Sequence, residues 1–248
     1  MQSAEKANAK ETARRLRARI ETVLDSAIAK GQCDATRRNP ADAKLIAKIH
    51  PLRRRGEREH YRAVPLDAAP AIFRRLRERA ETSTPIAAWL FMIATAARPS
   101  EAFYARWDEI DLDKALWTVP AARMKSGRKH AIPRSSLALA ILKRQATVRS
   151  GDAVFPGGSG SPLSYPTFTR ALTEAGIDAE TPHSWRSIFR DWAGDYGRID
   201  RDLAEAALAH SLGATEASYR RRTAVEARRP AMETYASWLL GDLPHALG

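Results

Sequence analysis

The run PIAAWLFMIATAA, residues 85–97, carries no charge, and Thr95 supplies its one polar side chain. It is too short for the roughly 20 residues that a bilayer-spanning helix needs. It therefore reads as a helix buried on all sides, and the rest of the chain has to supply the elements that surround it. Arg98 follows directly. An arginine leaving an apolar run loses hydration unless it meets an anion. Glu101 offers a salt bridge three residues on, and a phosphate oxygen is the other candidate; the residues alone leave both open.

Helices fit 68–81 and 99–106 on either side of this run. ALWTVP (115–120) and KHAIP (129–133) read as short antiparallel strands around AARMKSGR, with the glycine at the turn. A helix fits 135–149, and DAVFPGGSGSPLSY follows as a loop. Its glycines lack the Gly-Lys-Ser/Thr of a nucleotide-binding loop, so it is a turn and no phosphate cradle. Helices then fit 164–175, 183–196, 200–210, 215–222 and 225–240. N-terminally, 11–30 is amphipathic, with Leu16, Ile20, Val23, Leu24, Ala27 and Ile28 on one stripe and Gly31 as its cap. A short helix fits about 41–49, and HPLRRRGEREHYRAVP (50–65) is a basic linker. The expected organisation is a helical segment at 1–50, a linker at 51–64 and a main domain at 65–248. Its class is α+β, mostly α with a small antiparallel sheet.

Charge narrows the partner. Forty-one Lys and Arg against 29 acidic residues give a net charge of +12 and a pI near 10.2, which suits nucleic acid or an acidic membrane face. Cys33 is the only cysteine, so neither an intrachain disulfide nor a cysteine metal cluster is possible. MQSAEKANAKETARR lacks an apolar signal core, and a soluble, cytoplasmic, nucleoid-associated protein is expected. No His/Cys/Asp/Glu set has metal-site spacing, and no nucleophile-elbow serine occurs. Nothing resembles an RNA-binding module.

Several residues have both an ordinary and a chemical reading. In PHSWRSIFRDW, Pro182 opens a helix, and His183 and Arg186 share one face opposite Trp185, Ile188, Phe189 and Trp192. They either address an oxyanion near the helix N-terminus or serve as cap and surface arginine. His210, ending LAEAALAH, would ordinarily cap carbonyls. Lys125 would be a solvated turn lysine. Tyr219, in ASYRRRTAVEARR, would be a packing residue.

Taken together, in the order Arg98, Lys125, His183-x-x-Arg186, His210, Tyr219, the set resembles the tyrosine recombinases of the phage-integrase family. The likeness is to prophage and genomic-island integrases. It rests on TAARPSEAFYARWDEIDLDKALWTVPAARMKSGRKHAIP, TPHSWRSIFRDWAG and EAALAHSLGATEASYRRRTAVEARRPAMETYASWL, and covers about 65–240 as the catalytic domain. It implies that Arg98 and Arg186 hold the scissile phosphate, with His183 and His210 completing the cage. By the same resemblance Lys125 would protonate the leaving 5′ oxygen, and Tyr219 would be the nucleophile. It further implies a double-stranded DNA partner bearing attachment sites, four protomers on two duplexes, no cofactor or metal, and room for an accessory DNA-bending protein. Three departures stand out: Ala96 where glycine is frequent, Ser184-Trp185 for Gly-Phe, and Arg134 for leucine. Residues 9–50 resemble the last helices of a core-binding domain, and the chain is expected to be a fragment. A DNA-binding fragment without recombination and a type IB-like topoisomerase are the alternative activities.

Overall fold

Strong helix formers crowd the first residues, and α1 runs Gln2–Ala29. It starts ahead of the expected residue 11 because AEKANAK has helix propensity without any apolar period. The computed structural model describes residues 2–34, 36, 38–49, 64–158, 160, 162–176, 182–210 and 223–242. The chain divides into two units, Met1–Glu59 and His60–Gly248. In the first, α1 is followed by α2, Ala43–Ile49. The loop before α2 is tied down on α1: Asn39 Nδ2 donates to Glu21 O at 2.9 Å and to Asp25 Oδ1 at 2.7 Å. Glu21 Oε1 accepts the Ala43 N–H at 2.9 Å. Leu16, Ile20 and Val23 remain exposed.

The second unit contains α3 (Ala69–Ala80), α4 (Thr84–Thr95) and α5 (Pro99–Phe103). The strands β1 (Ile110–Asp111), β2 (Leu116–Val119) and β3 (His130–Pro133) follow. They are succeeded by α6 (Ser136–Thr147), α7 (Tyr165–Glu174), α8 (Pro182–Asp195), α9 (Arg201–Ala207) and α10 (Thr223–Leu240). The apolar run is α4. Every residue from Ile86 to Thr95 is buried, with α3, α6, α7, α8 and α10 packed around it. Each large side chain so enclosed contributes about 1.5–3 kcal/mol. The sheet is antiparallel in the order β1-β2-β3, with Trp117 opposite Ile132 and Val119 opposite His130. Trp117 and Val119 are wholly buried, and the Trp117 ring lies 5.0 Å from that of Phe91 on α4.

Two local expectations change. Helix 99–106 stops at Phe103, because the next residues are claimed by a distant loop. Val154 N–H donates to Ala105 O and Trp107 N–H to Asp152 O, both at 2.9 Å. The extra strand β1 is only two residues long, too short to show a period in sequence. The glycine expected at the hairpin turn, Gly127, has φ 65°. The expected helix 215–222 lies outside the described residues. Among those described, no helix is long and apolar enough to cross a membrane.

Helix α4 ends on Ala96 at φ 51°, ψ 22°, a left-handed C-cap that suits glycine better. Ala96→Gly is expected to raise unfolding free energy by about 0.5–1 kcal/mol, the relief of Cβ strain less the added chain entropy. Urea denaturation measures it, and a less stable variant would contradict the argument.

Candidate active site

Helix ends build the site. The carbonyls at the last turn of a helix lack intrahelical partners and carry the negative end of its dipole. Arg186, buried on α8, uses the ends of both α4 and α9. Its Nη1 donates to Ala96 O at 2.5 Å and its Nη2 to Leu208 O at 2.6 Å. Burial, and then the neighbouring Arg98 cation, push its pKa down to about 10, so it stays charged at neutral pH. Arg98 Nη2 reaches Ala209 O at 3.4 Å. Ala209, like Ala96, is left-handed, at φ 51°.

Glu101 fixes Arg98. One carboxylate oxygen accepts the Arg98 backbone N–H at 2.9 Å and the other accepts Nη1 at 2.9 Å. Arg98 is thus ion-paired, and it also lines an open cleft of about 800 Å³. Lys125, Arg186 and His210 line the same cleft, as do Tyr104 and Tyr165. Four of the six residues singled out from sequence thus meet in one place. His183 lies in the first turn of α8, while Tyr219 lies outside the described residues.

Sequence reasoning passed over Glu205. The His210 Nδ1–H donates to Glu205 Oε2 at 2.5 Å, and Arg190 Nε lies 3.2 Å from the other oxygen. That bond sets the tautomer and turns Nε2 towards Arg186 Nη2, 3.4 Å away. The His210 ring N–H in turn holds the Glu205 carboxyl below the usual carboxylate range. The readable signal was an acid one helical turn and a half before the terminal histidine, in EAALAH.

Behind the cleft, Arg228 of α10 joins α9 to β3. It donates to Ala206 O at 3.3 Å and Ala131 O at 2.7 Å. Beside it on β3 stands His130, whose buried Nε2 has no partner among the described residues. Burial, and then the Arg228 cation, push the ring's pKa down from 6.5 to about 4. Between those values the unfolded chain takes up a proton that the fold refuses. Stability is therefore full above about pH 6.5 and falls towards pH 4 by up to about 1.4 kcal/mol per pH unit. His130→Gln is expected to flatten that part of the melting-temperature profile; an unchanged slope would refute the assignment.

The model of the phage integrase family matches residues 62–225. The chain belongs to the phage integrase family. Prophage integrase IntZ of Escherichia coli (strain K12) is 35% identical over 233 residues, spanning 92% of this chain and 55% of the relative. Prophage integrase IntA of the same strain is 32% identical over 231 residues, with coverages of 91% and 54%. This family member thus spans about half the length of those relatives. Among solved structures, a lambda integrase dimer bound to a COC′ core site superposes with a TM-score of 0.59 at 19% identity, covering 87% of this chain and 77% of that one. A lambda integrase tetramer bound to a Holliday junction gives 0.60 at 18%, with coverages of 83% and 60%. At such identities the likeness establishes the fold: a mostly helical tyrosine-recombinase catalytic domain with a small antiparallel sheet.

Proposed function

We propose that this integrase-family chain cleaves and rejoins duplex DNA through a 3′-phosphotyrosine on Tyr219, in the service of integrating or excising a mobile element. The convergence of Arg98, Lys125, Arg186 and His210 on one cleft carries the reading. A phosphodiester repels nucleophiles, and its transition state gathers further negative charge. Planar, permanently charged guanidiniums held by helix ends meet that charge without reorganising. The Tyr219 oxygen bonds to phosphorus as the P–O5′ bond breaks. The phenol proton passes to His210 or water, and the departing 5′ oxygen takes one from Lys125. The phosphoester bond is conserved in the adduct, so a partner 5′-hydroxyl reseals the strand without ATP. Arginine cations supply the charge stabilisation that a metal would otherwise give. A net charge of +12 supports a DNA partner, and the DNA-bound lambda integrase dimer and tetramer support a four-protomer assembly on DNA.

Covalent capture tests the reading. The chain is incubated, in excess chelator, with nicked duplexes of randomised core sequence. The nick lets the cleaved end diffuse away and traps the adduct. Adducts stable to denaturant and enriched for one sequence are expected; their absence would overturn the proposal. Relaxation of any supercoiled plasmid, without sequence enrichment, would assign the cleft to a topoisomerase instead. In the same assay Glu205→Ala, which removes the acceptor that orients the His210 ring, is expected to slow cleavage by about ten- to a hundredfold, as for other residues that orient a functional ring. DNA binding should hold; wild-type cleavage by that variant would rule out the orienting role.

A further inference from the structure

The loop carrying Lys125 is pinned at its base by a residue that has no part in the reading above. Arg123 stands at the end of the short 3₁₀ turn Ala121–Arg123, and Met124, between it and Lys125, is buried. Arg123 Nη1 lies 2.5 and 2.6 Å from the two carboxylate oxygens of Glu109. The Glu109 side chain is itself enclosed and held to β2 by the Trp117 Nε1–H at 3.0 Å. Arg123 Nη2 donates to Glu101 O at 2.5 Å and Ser100 O at 3.2 Å, both on α5. Glu101 therefore serves two arginines: its carbonyl takes Arg123, and its carboxylate takes Arg98 at 2.9 Å. One hydrogen-bonded path runs from the backbone beside Lys125, through Arg123 and Glu101, to Arg98.

Resting on the phosphoryl-transfer reading of the cleft, we propose that Arg123 is a positioning residue for Lys125, fixing the proton donor against the arginine that holds the phosphate. A long lysine on an exposed loop has many rotamers, so the placing of its backbone decides how often the ammonium reaches the leaving oxygen. The planar guanidinium suits this task, because its separate N–H groups meet the Glu109 carboxylate and the α5 carbonyls at once. A lysine ammonium at residue 123 keeps the charge but not that fork.

The test uses the duplex recovered by covalent capture, and the same duplex with sulfur in place of the bridging 5′ oxygen. A thiol has a pKa of about 8.5, far below that of an alcohol, so the thiolate departs without a donated proton. Lys125→Ala should lose about 10²-fold in cleavage rate on the oxygen duplex and recover on sulfur. Arg123→Lys should lose about tenfold on oxygen and stay within about twofold of the parent on sulfur. In a Lys125→Ala background it should cost nothing further, because both changes act through one group. Glu109→Gln, which leaves the α5 carbonyls in place, should show the same split in smaller measure. An Arg123→Lys rate equal to the parent on oxygen, an equal loss on both duplexes, or losses that multiply in the double variant would each overturn the proposal. No adduct from the parent chain, or no sulfur recovery for Lys125→Ala, would instead overturn the reading on which it rests.

Discussion

Tyr219→Phe is expected to abolish covalent protein–DNA adducts while leaving DNA affinity within about twofold, the range of a change that removes a single hydroxyl. The cleft gathers cations and a histidine; among the described residues no cysteine lines it, and its serines, Ser100 and Ser126, make no hydrogen bond to a histidine. A phenol, with an unperturbed pKa of roughly 10, gives up its proton during attack more readily than a serine hydroxyl. In the chain, His210 precedes Tyr219 and lines the cleft, and α10 follows, bound to α9 and β3 through Arg228. Adducts formed by the phenylalanine variant, detected on a denaturing gel, would remove Tyr219 from the mechanism.

Arg186→Lys should rank next, with cleavage lowered by about 10³-fold, as for loss of a preorganised transition-state donor. Arg186 Nη1 and Nη2 are drawn to carbonyls from two different helix ends. A lysine that keeps either bond has to turn its single ammonium away from the cleft. The charge survives, so DNA affinity in a filter-binding assay should fall far less than the cleavage rate. Parallel losses in both would mean that Arg186 serves binding alone.

The centre of the fold was legible because thirteen consecutive residues without charge admit one arrangement in water, an enclosed helix. The hairpin was legible from its alternation and Gly127. Elements fixed by distant partners were not. Helix α5 ends early because Ala105 and Trp107 bond to residues 154 and 152, and nothing in FYARWDEI announces those partners. At the site, Arg98, Lys125, Arg186 and His210 were found as a set, each ambiguous alone. Glu205 and Arg123 escaped notice because an acid or arginine on a polar face looks like any solvated charge until its partner is placed. Ala96 marks the border between the two cases: the left-handed turn that aims its carbonyl at Arg186 shows why glycine would suit the place.

The division into two units has a practical side, because the chain's natural chromophores respect it. All six tryptophans fall within 60–248, and the segment 1–59 has no Trp, Tyr or Phe but holds the single cysteine. Cys33 is exposed, so a thiol-reactive acceptor dye labels one unit while ultraviolet light excites only the other. Energy transfer between them needs no engineered residue. A change in the spacing of the two units on addition of DNA would register as a colour change that can be followed in real time on the unmodified sequence.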